Sequence, residues 1–259
     1  MLTINELHIR FLDQQPGNET VHGIDFSMKA GEFLGLCGES GSGKTLTALA
    51  IAGLTNPNKT QISGEILFQG VNLLTQSPME MQQILGRDIA MVFQEPASCL
   101  NPLRTIGWQM EEMIRIHKTL PKNQRKDMVI SAMEEVELEN PLHIYKQYPH
   151  ELSGGMRQRI MLAMAFIHRP KLLICDEPTT ALDTENQNHI LHLLEKIGQE
   201  KNIGILFISH DLKLISRLCH RVLVMHEGKI IEQGSSKEIF QSPKEHYTKM
   251  LVSAANWEA

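Results

Sequence analysis

Apolar residues in this chain gather into short, nearly continuous runs divided by turn residues, with longer stretches of helical spacing between them. Residues 2–12 and 21–28 read as antiparallel strands joined by a turn at Pro16-Gly17-Asn18. A second turn, Lys29-Ala30-Gly31, leads into Phe33-Leu34-Gly35-Leu36-Cys37. Runs at 89–93, 172–175 and 203–208 are apolar residue after residue rather than alternating, as in parallel strands covered on both faces. Residues 45–54, rich in Ala and Leu, read as a helix. The long stretch 95–168 carries helical periodicity without a strong strand and reads as an inserted helical lobe. Near the end, residues 222–225 and 230–233 form a hairpin turning at His226-Glu227-Gly228, and a closing helix spans about 247–255. Strands alternating with helices predict an α/β fold.

Composition narrows the function. With 42% hydrophobic and 21% charged residues, the chain supports a packed core and a polar surface. A formal net charge of -5 argues against a nucleic-acid partner. No apolar run reaches the roughly 18 residues of a membrane span. Met1-Leu2-Thr3-Ile4-Asn5-Glu6 lacks the regions of a signal peptide, so the expected location is the cytosol, with any membrane role supplied by partners. Cys37, Cys99, Cys175 and Cys219 form no C-x-x-C pair, and Cys37 and Cys175 sit in strand-like runs as small hydrophobes.

The clearest chemistry lies in Gly38-Glu39-Ser40-Gly41-Ser42-Gly43-Lys44-Thr45, which fits G-x-x-x-x-G-K-[ST] between a predicted strand and a predicted helix. The glycines let backbone N–H groups face phosphate oxygens, and the helix N-terminus adds its positive end. Lys44 brings a point charge for the β and γ phosphates, and the Thr45 hydroxyl can ligate Mg²⁺. Alone, the loop says nucleoside triphosphate and leaves kinase, GTPase and motor open.

Further along, Leu172-Leu173-Ile174-Cys175-Asp176-Glu177 sets two carboxylates at the end of an apolar strand. Asp176 can hold Mg²⁺ through water and Glu177 can polarise an attacking water, which favours hydrolysis over transfer to a metabolite. Leu152-Ser153-Gly154-Gly155-Met156-Arg157-Gln158-Arg159 opens a helix that runs to about His168. Its N–H groups suit an anion, although Ser153 is also explained as a helix cap.

That stretch closely resembles the ABC signature L-S-G-G-Q, with Met156 in place of Gln. Asp176-Glu177-Pro178-Thr179-Thr180-Ala181-Leu182-Asp183 resembles the Walker B motif and D-loop, Ile208-Ser209-His210-Asp211 the switch loop, and Gln94 the Q-loop. The order is the family's over nearly the whole chain, which is identified as a member of the ABC transporter ATP-binding subunits. The resemblance implies one domain: a P-loop NTPase (ABC ATPase) core with a mixed parallel sheet and an N-terminal antiparallel β-subdomain over residues 1–94 and 169–259, and an inserted α-helical subdomain over 95–168. It implies ATP and Mg²⁺ as cofactors, with ATP on Gly38 to Thr45 and the metal at Thr45, Gln94 and Asp176. Catalytic roles fall to Glu177, His210 and Gln94. Two cassettes pair head to tail, so Ser153, Gly154 and Gly155 of one complete the nucleotide site of the other, and Asp183 lies in the loop crossing the interface. Phe11 matches the aromatic that stacks on adenine, against the plainer reading of a core residue.

Finer likenesses point to a subfamily. Phe93-Gln94-Glu95-Pro96-Ala97-Ser98-Cys99-Leu100-Asn101-Pro102 resembles the F-Q-[DE]-P-x-x-x-L-N-P stretch of dipeptide, oligopeptide and nickel importers. His246-Tyr247-Thr248 and its flanks resemble their H-P-Y-T closing helix, with Glu245 where proline is usual. Met156-Arg157-Gln158-Arg159 resembles the first, D-type, of their two unequal ATPases. Peptide-import members commonly continue into a cysteine-bearing tail, so the end at Ala259 favours nickel or a metal chelate as cargo, with dipeptides or oligopeptides as the alternative. The implied partners are a second ABC ATPase, two membrane permeases and an extracytoplasmic substrate-binding protein, which puts the chain at the cytoplasmic face as a peripheral subunit. Trp108, Met110 and Met113 either dock a permease helix or pack the lobe. A soluble ABC ATPase of DNA repair or translation would carry a coiled-coil insertion or two cassettes, and a P-loop kinase would lack Leu152 to Gly155 and His210.

Overall fold

The computed structural model describes residues 1–13, 19–93, 99–180 and 182–255. The turn at Pro16-Gly17-Asn18 and the Q-loop residue Gln94 lie outside the described residues. The chain separates into two compact units, one comprising Met1–Gln82 with Gly204–Ala259 and the other Gln83–Ile203.

In the first unit, β1 (Leu2–Phe11) and β2 (Val21–Met28) pair antiparallel. Their alternating burial, with Leu7, Ile9, Ile24, Phe26 and Met28 inside, is that of a sheet with one covered face. β3 (Phe33–Cys37), buried throughout, runs into the phosphate loop and α1 (Lys44–Ile51). The predicted helix extended to residue 54, but α1 ends at Ile51 in a Schellman turn. Leu54 N–H donates to Leu49 O (2.8 Å) and Gly53 N–H to Ala50 O (3.1 Å), which satisfies the last carbonyls. β4 (Thr60–Phe68) and β5 (Val71–Asn72) return to the antiparallel sheet, whose order is β2-β1-β4-β5, and the short α2 (Pro78–Ile84) follows.

The second unit carries two parallel strands, β6 (Ile89–Val92) and β7 (Leu172–Asp176), in register from Ile89 opposite Leu172 to Val92 opposite Cys175. Between them come α3 (Ile106–His117), α4 (Lys122–Glu135), α5 (Pro141–Ile144) and α6 (Gly154–Phe166), and after β7 comes α7 (Thr184–Lys201). Ile106, Met110 and Ile114 are buried along one stripe of α3, and α3, α4 and α6 pack on one another with Val129, Ala132 and Met133 of α4 and Ile160 to Ala163 of α6 also buried. Met110 is therefore core. Trp108 is half-buried, with the guanidinium carbons of Arg104 and Arg115 lying 4.5 and 5.4 Å from its ring centroid.

One charged cluster is sealed inside this lobe. Glu111, 5% exposed, accepts from Arg125 Nε at 3.0 Å and from the Tyr145 hydroxyl. Burial pushes the Glu111 carboxyl up, but the hydrogen bonds from Tyr145 and Arg125 and the charges of Arg125 and Arg115 outweigh it and hold the group below its ordinary value. Burial, with Glu111 beside it, raises the Tyr145 phenol to about 12. Removing one partner of a buried pair strands the other, so Glu111→Gln is expected to destabilise the protein by roughly 3 kcal/mol at neutral pH. Because the native carboxyl is depressed, its contribution is full above the unfolded value, about 4.3, and fades as pH falls through the native one. Denaturant titrations of parent and variant at a series of pH values should show the gap narrowing on acidification. A gap that widens instead would count against this account.

The chain then returns to the first unit with β8 (Gly204–Ile208), α8 (Leu212–Leu218), β9 (Arg221–His226), β10 (Lys229–Ser235), α9 (Ser236–Gln241) and α10 (His246–Ala254). β3 lies parallel to both β8 and β9, and β9 pairs antiparallel with β10, giving the order β10-β9-β3-β8 in this unit. No described helix is long and apolar enough to cross a membrane.

Candidate functional site

The first unit presents a strand, a glycine-rich loop and a helix. β3 ends at Cys37, and Gly38 after it lies against β9 so closely that a Cβ there would fall 2.0 Å from the Met225 carbonyl oxygen. Only glycine lets the chain leave the strand at this point. Lys44, 6% exposed at the first turn of α1, turns its ammonium back along the loop. Its Nζ donates to Gly38 O at 2.9 Å and to Glu39 O at 2.7 Å. The neighbouring hairpin fastens the loop's far side, where Gly228 N–H donates to Ser42 O at 3.1 Å. Thr45 stands exposed beside Lys44.

His210 belongs to the same edge of the same sheet. β3 and β8 run parallel with Leu36 opposite Ile208, so the phosphate loop and the His210 turn leave adjacent strands at their C-terminal ends. That edge is where open α/β sheets bind ligands. Ser209 is buried and its N–H donates to Leu36 O at 3.4 Å. Asp211 caps α8 by accepting from Lys213 N–H at 2.9 Å, and its own N–H donates to Ser209 Oγ at 3.0 Å. His210 is thus an exposed imidazole on a doubly tied turn. Phe11 ends β1 opposite Thr60 and is only half-buried, unlike Leu7 and Ile9 of the same strand.

The second unit carries the other candidates. Buried β7 delivers Asp176, 8% exposed, at its C-terminal end. Glu177 follows with φ 48, in the left-handed region that side chains seldom occupy. Its Oε2 accepts from the Thr180 hydroxyl at 3.0 Å, which orients the carboxylate. Left-handed backbone at a non-glycine residue concentrates at functional positions, where surrounding structure holds it in place.

The signature opens α6 as predicted in outline. Ser153 caps the helix, its Oγ accepting from Met156 N–H at 3.3 Å, and both Ser153 and Gly154 are exposed. Gly155 is buried against Asn186, and a Cβ there would lie 2.4 Å from Asn186 Oδ1. Asn186 is itself gripped by Asp183, the cap of α7, through N–H to Oδ1 at 2.9 Å and Nδ2 to Oδ2 at 2.7 Å. Those same two bonds lower the Asp183 carboxyl pKa. Gln158, 1% exposed, donates from Nε2 to Pro178 O at 2.5 Å. The signature helix is therefore tied to Pro178 through Gln158 and set against the start of α7 at Asn186, two residues that the sequence reading had not singled out. A glutamine on the apolar side of a helix was the available signal.

The cysteines behave as the sequence implied: Cys37, Cys175 and Cys219 are buried, and burial raises the Cys37 thiol to about 12. Among the described residues no group of three or more His, Cys, Asp or Glu is arranged to hold a metal ion.

A phosphate-binding loop at the C-terminal edge of a parallel sheet, with an imidazole on the adjacent strand end, defines a P-loop nucleotide-binding protein. The sequence profile of the ABC transporter family matches residues 21–180. The oligopeptide transport ATP-binding protein OppD of Lactococcus lactis subsp. cremoris is 41% identical over 252 residues, spanning 97% of this chain and 75% of that protein. The dipeptide transport ATP-binding protein DppD of Escherichia coli is 39% identical over 254 residues, covering 98% and 78%. Among solved structures, the cassette MJ0796, a dimer in a post-hydrolysis state bound to ADP and Pi, superposes with a TM-score of 0.79 at 23% identity over 91% of this chain and 99% of that one. CbiO1 from Clostridium perfringens, part of the cbiONQ transporter complex, gives 0.77 at 28% identity, covering 93% and 90%. The chain belongs to the ABC transporter family and has the fold of its ATPase cassettes.

Proposed function

We propose that this chain is the ATP-hydrolysing subunit of an importer of oligopeptides or dipeptides. The observation that carries the cargo is identity of 41% and 39%, over nearly the whole chain, to proteins named for oligopeptide and dipeptide transport. The nickel reading rested on where the chain ends, which says nothing about cargo, and these relatives support the peptide alternative.

The donor set fits a polyphosphate with a divalent cation. Lys44 and the backbone N–H groups of the loop and α1 would hold the phosphates, and the family resemblance gives Thr45, Asp176 and Gln94, each an oxygen donor, as the residues that would hold Mg²⁺. When bound, the metal screens the charge of the phosphates and templates the displacement. Glu177 takes the role of base toward water, and His210 that of a donor to the transferred phosphoryl group. Phe11 serves the adenine. Ser153, Gly154 and Gly155 act on the nucleotide of a partner cassette, with Asp183 at the shared interface. That partner is a second, unequal ABC ATPase. Two membrane permeases and an extracytoplasmic binding protein complete the assembly, with this chain peripheral on the cytoplasmic face.

The test is uptake by the reconstituted transporter. ATP-dependent accumulation of labelled di- to hexapeptides is expected, with Ni²⁺ accumulation at background. In the same system Lys44→Ala should abolish uptake and weaken MgATP binding by calorimetry at least about tenfold, since it leaves phosphate facing neutral donors alone. Nickel uptake without peptide uptake would overturn the cargo. Parental affinity in Lys44→Ala would overturn the role of the loop.

A further inference from the structure

The phosphate loop has a contact from a distant part of the chain that none of the motif chemistry uses. Glu39 N–H donates to the hydroxyl oxygen of Tyr247, in α10, at 3.0 Å. The same peptide unit is held at its other end, where its carbonyl, Gly38 O, accepts from Lys44 Nζ at 2.9 Å. Tyr247 is itself well placed. Its ring stacks on His226 with centroids 3.8 Å apart and planes 20° apart, and His226 Nδ1 lies 2.9 Å from Glu39 Oε1. The entry to α10 is pinned by the Glu232 carboxylate of β10, which accepts from Lys244 N–H at 2.8 Å and Glu245 N–H at 3.1 Å. Thr248, the residue after Tyr247, is 1% exposed. Helix, hairpin and loop thus meet around one peptide bond of the phosphate loop.

We propose that Tyr247 is a positioning residue for nucleotide binding: its hydroxyl oxygen anchors the Gly38–Glu39 peptide so that the loop keeps its shape while Lys44 changes partners. Of the two groups that hold this peptide, Lys44 is the one whose charge must turn to phosphate oxygens. Doing so releases Gly38 O and Glu39 O together. The tyrosine, which accepts from an N–H and carries no charge, has no reason to leave. A loop anchored in this way gives up less conformational freedom on binding, so the contact appears as affinity rather than as turnover. The proposal rests on the nucleotide-binding reading above.

Tyr247→Phe isolates the contact, because it keeps the ring on His226 and deletes only the accepting oxygen. By calorimetry on the full chain, MgATP affinity is expected to fall about three- to tenfold, the range of a single net hydrogen bond. In the assembled transporter KM for ATP should rise by a similar factor while kcat stays within about twofold, a split that general loosening of the fold would not produce. Parental affinity and KM in Tyr247→Phe would overturn the proposal. So would a fall in kcat at unchanged KM, which would place the residue's effect after binding. A parent chain that binds no MgATP would instead remove the nucleotide-binding reading, and this proposal with it.

Discussion

Glu177→Gln is expected to bind MgATP as the parent does and to hydrolyse it about 10²–10⁴-fold more slowly. The residue stands one position beyond Asp176, at the end of a strand buried along its whole length, so its Cα is fixed by the core. Its backbone sits at φ 48 and its Oε2 accepts from the Thr180 hydroxyl at 3.0 Å. A glutamine carbonyl can take that same hydrogen bond, so shape and orientation survive the substitution. What disappears is the basic oxygen that would accept a proton from water. In the proposed function binding rests on Lys44 and the loop's N–H groups, and these are untouched. The check is paired: calorimetry for affinity, then steady-state turnover of the assembled transporter. Turnover near the parental rate would remove Glu177 from the role of base, and a large loss of affinity would show that it serves binding instead.

What could be read from the sequence, and what could not, divides by the range of the interactions. β3, β7 and β8 were plain because β3 and β8 are apolar at every position and β7 is so up to its closing Asp176, and each leads into residues with recognisable chemistry. The β9–β10 hairpin was legible from its Glu227-Gly228 turn. β4 passed unrecognised because its burial follows pairing rather than composition. Gly64 interrupts it, and Gln61, Ser63 and Glu65 make its middle polar. It is a strand because β1 pairs with it from Leu2 opposite Phe68 to Phe11 opposite Thr60. α7 was missed for a different reason. Ile190, Leu191, Leu193, Leu194 and Ile197 are spaced as a helix requires, so its signal was local and present in the sequence. The candidate site residues within the described chain were all named from their motifs. Their supports were not. Gln158 with Pro178, Asn186 with Gly155 and Tyr247 with Glu39 join segments 20, 31 and 208 residues apart, and no local pattern announces such pairs. Motif chemistry is written locally, and its positioning is written in the fold.

That difference between chemistry and positioning sets the terms of the last expectation, Ser153→Arg. Ser153 does two things here: its Oγ caps α6 by accepting from Met156 N–H, and its exposure leaves it facing outward with Gly154. Losing the cap alone costs about 1 kcal/mol, too little to unfold a domain held by Gln158 and Asn186 behind it. The arginine's main effect falls outside the chain. If the signature of one cassette serves the nucleotide of another, a long cation at 153 intrudes on the space of the partner's phosphates and cannot reproduce the short oxygen contact. Transport ATPase activity in the assembled complex should then drop by on the order of 10²-fold or more, the scale of losing a donor to the reacting phosphoryl group. The variant chain by itself should still bind MgATP with parental affinity, because its own loop and Lys44 are unaltered. Met156 sharpens the test. A thioether offers only a weak acceptor where a glutamine amide would offer donors, so in a composite site the N–H groups of Gly154 and Gly155 and the Ser153 hydroxyl would carry the contact. A partner whose signature keeps Gln would make the two composite sites unequal, and Ser153→Arg would silence one of them while nucleotide still occupies this chain. Parental turnover in the complex would sink the composite-site role of Ser153. A purified chain that forms a stable homodimer with full turnover would sink the unequal pair and leave the cassette's own assignment in place.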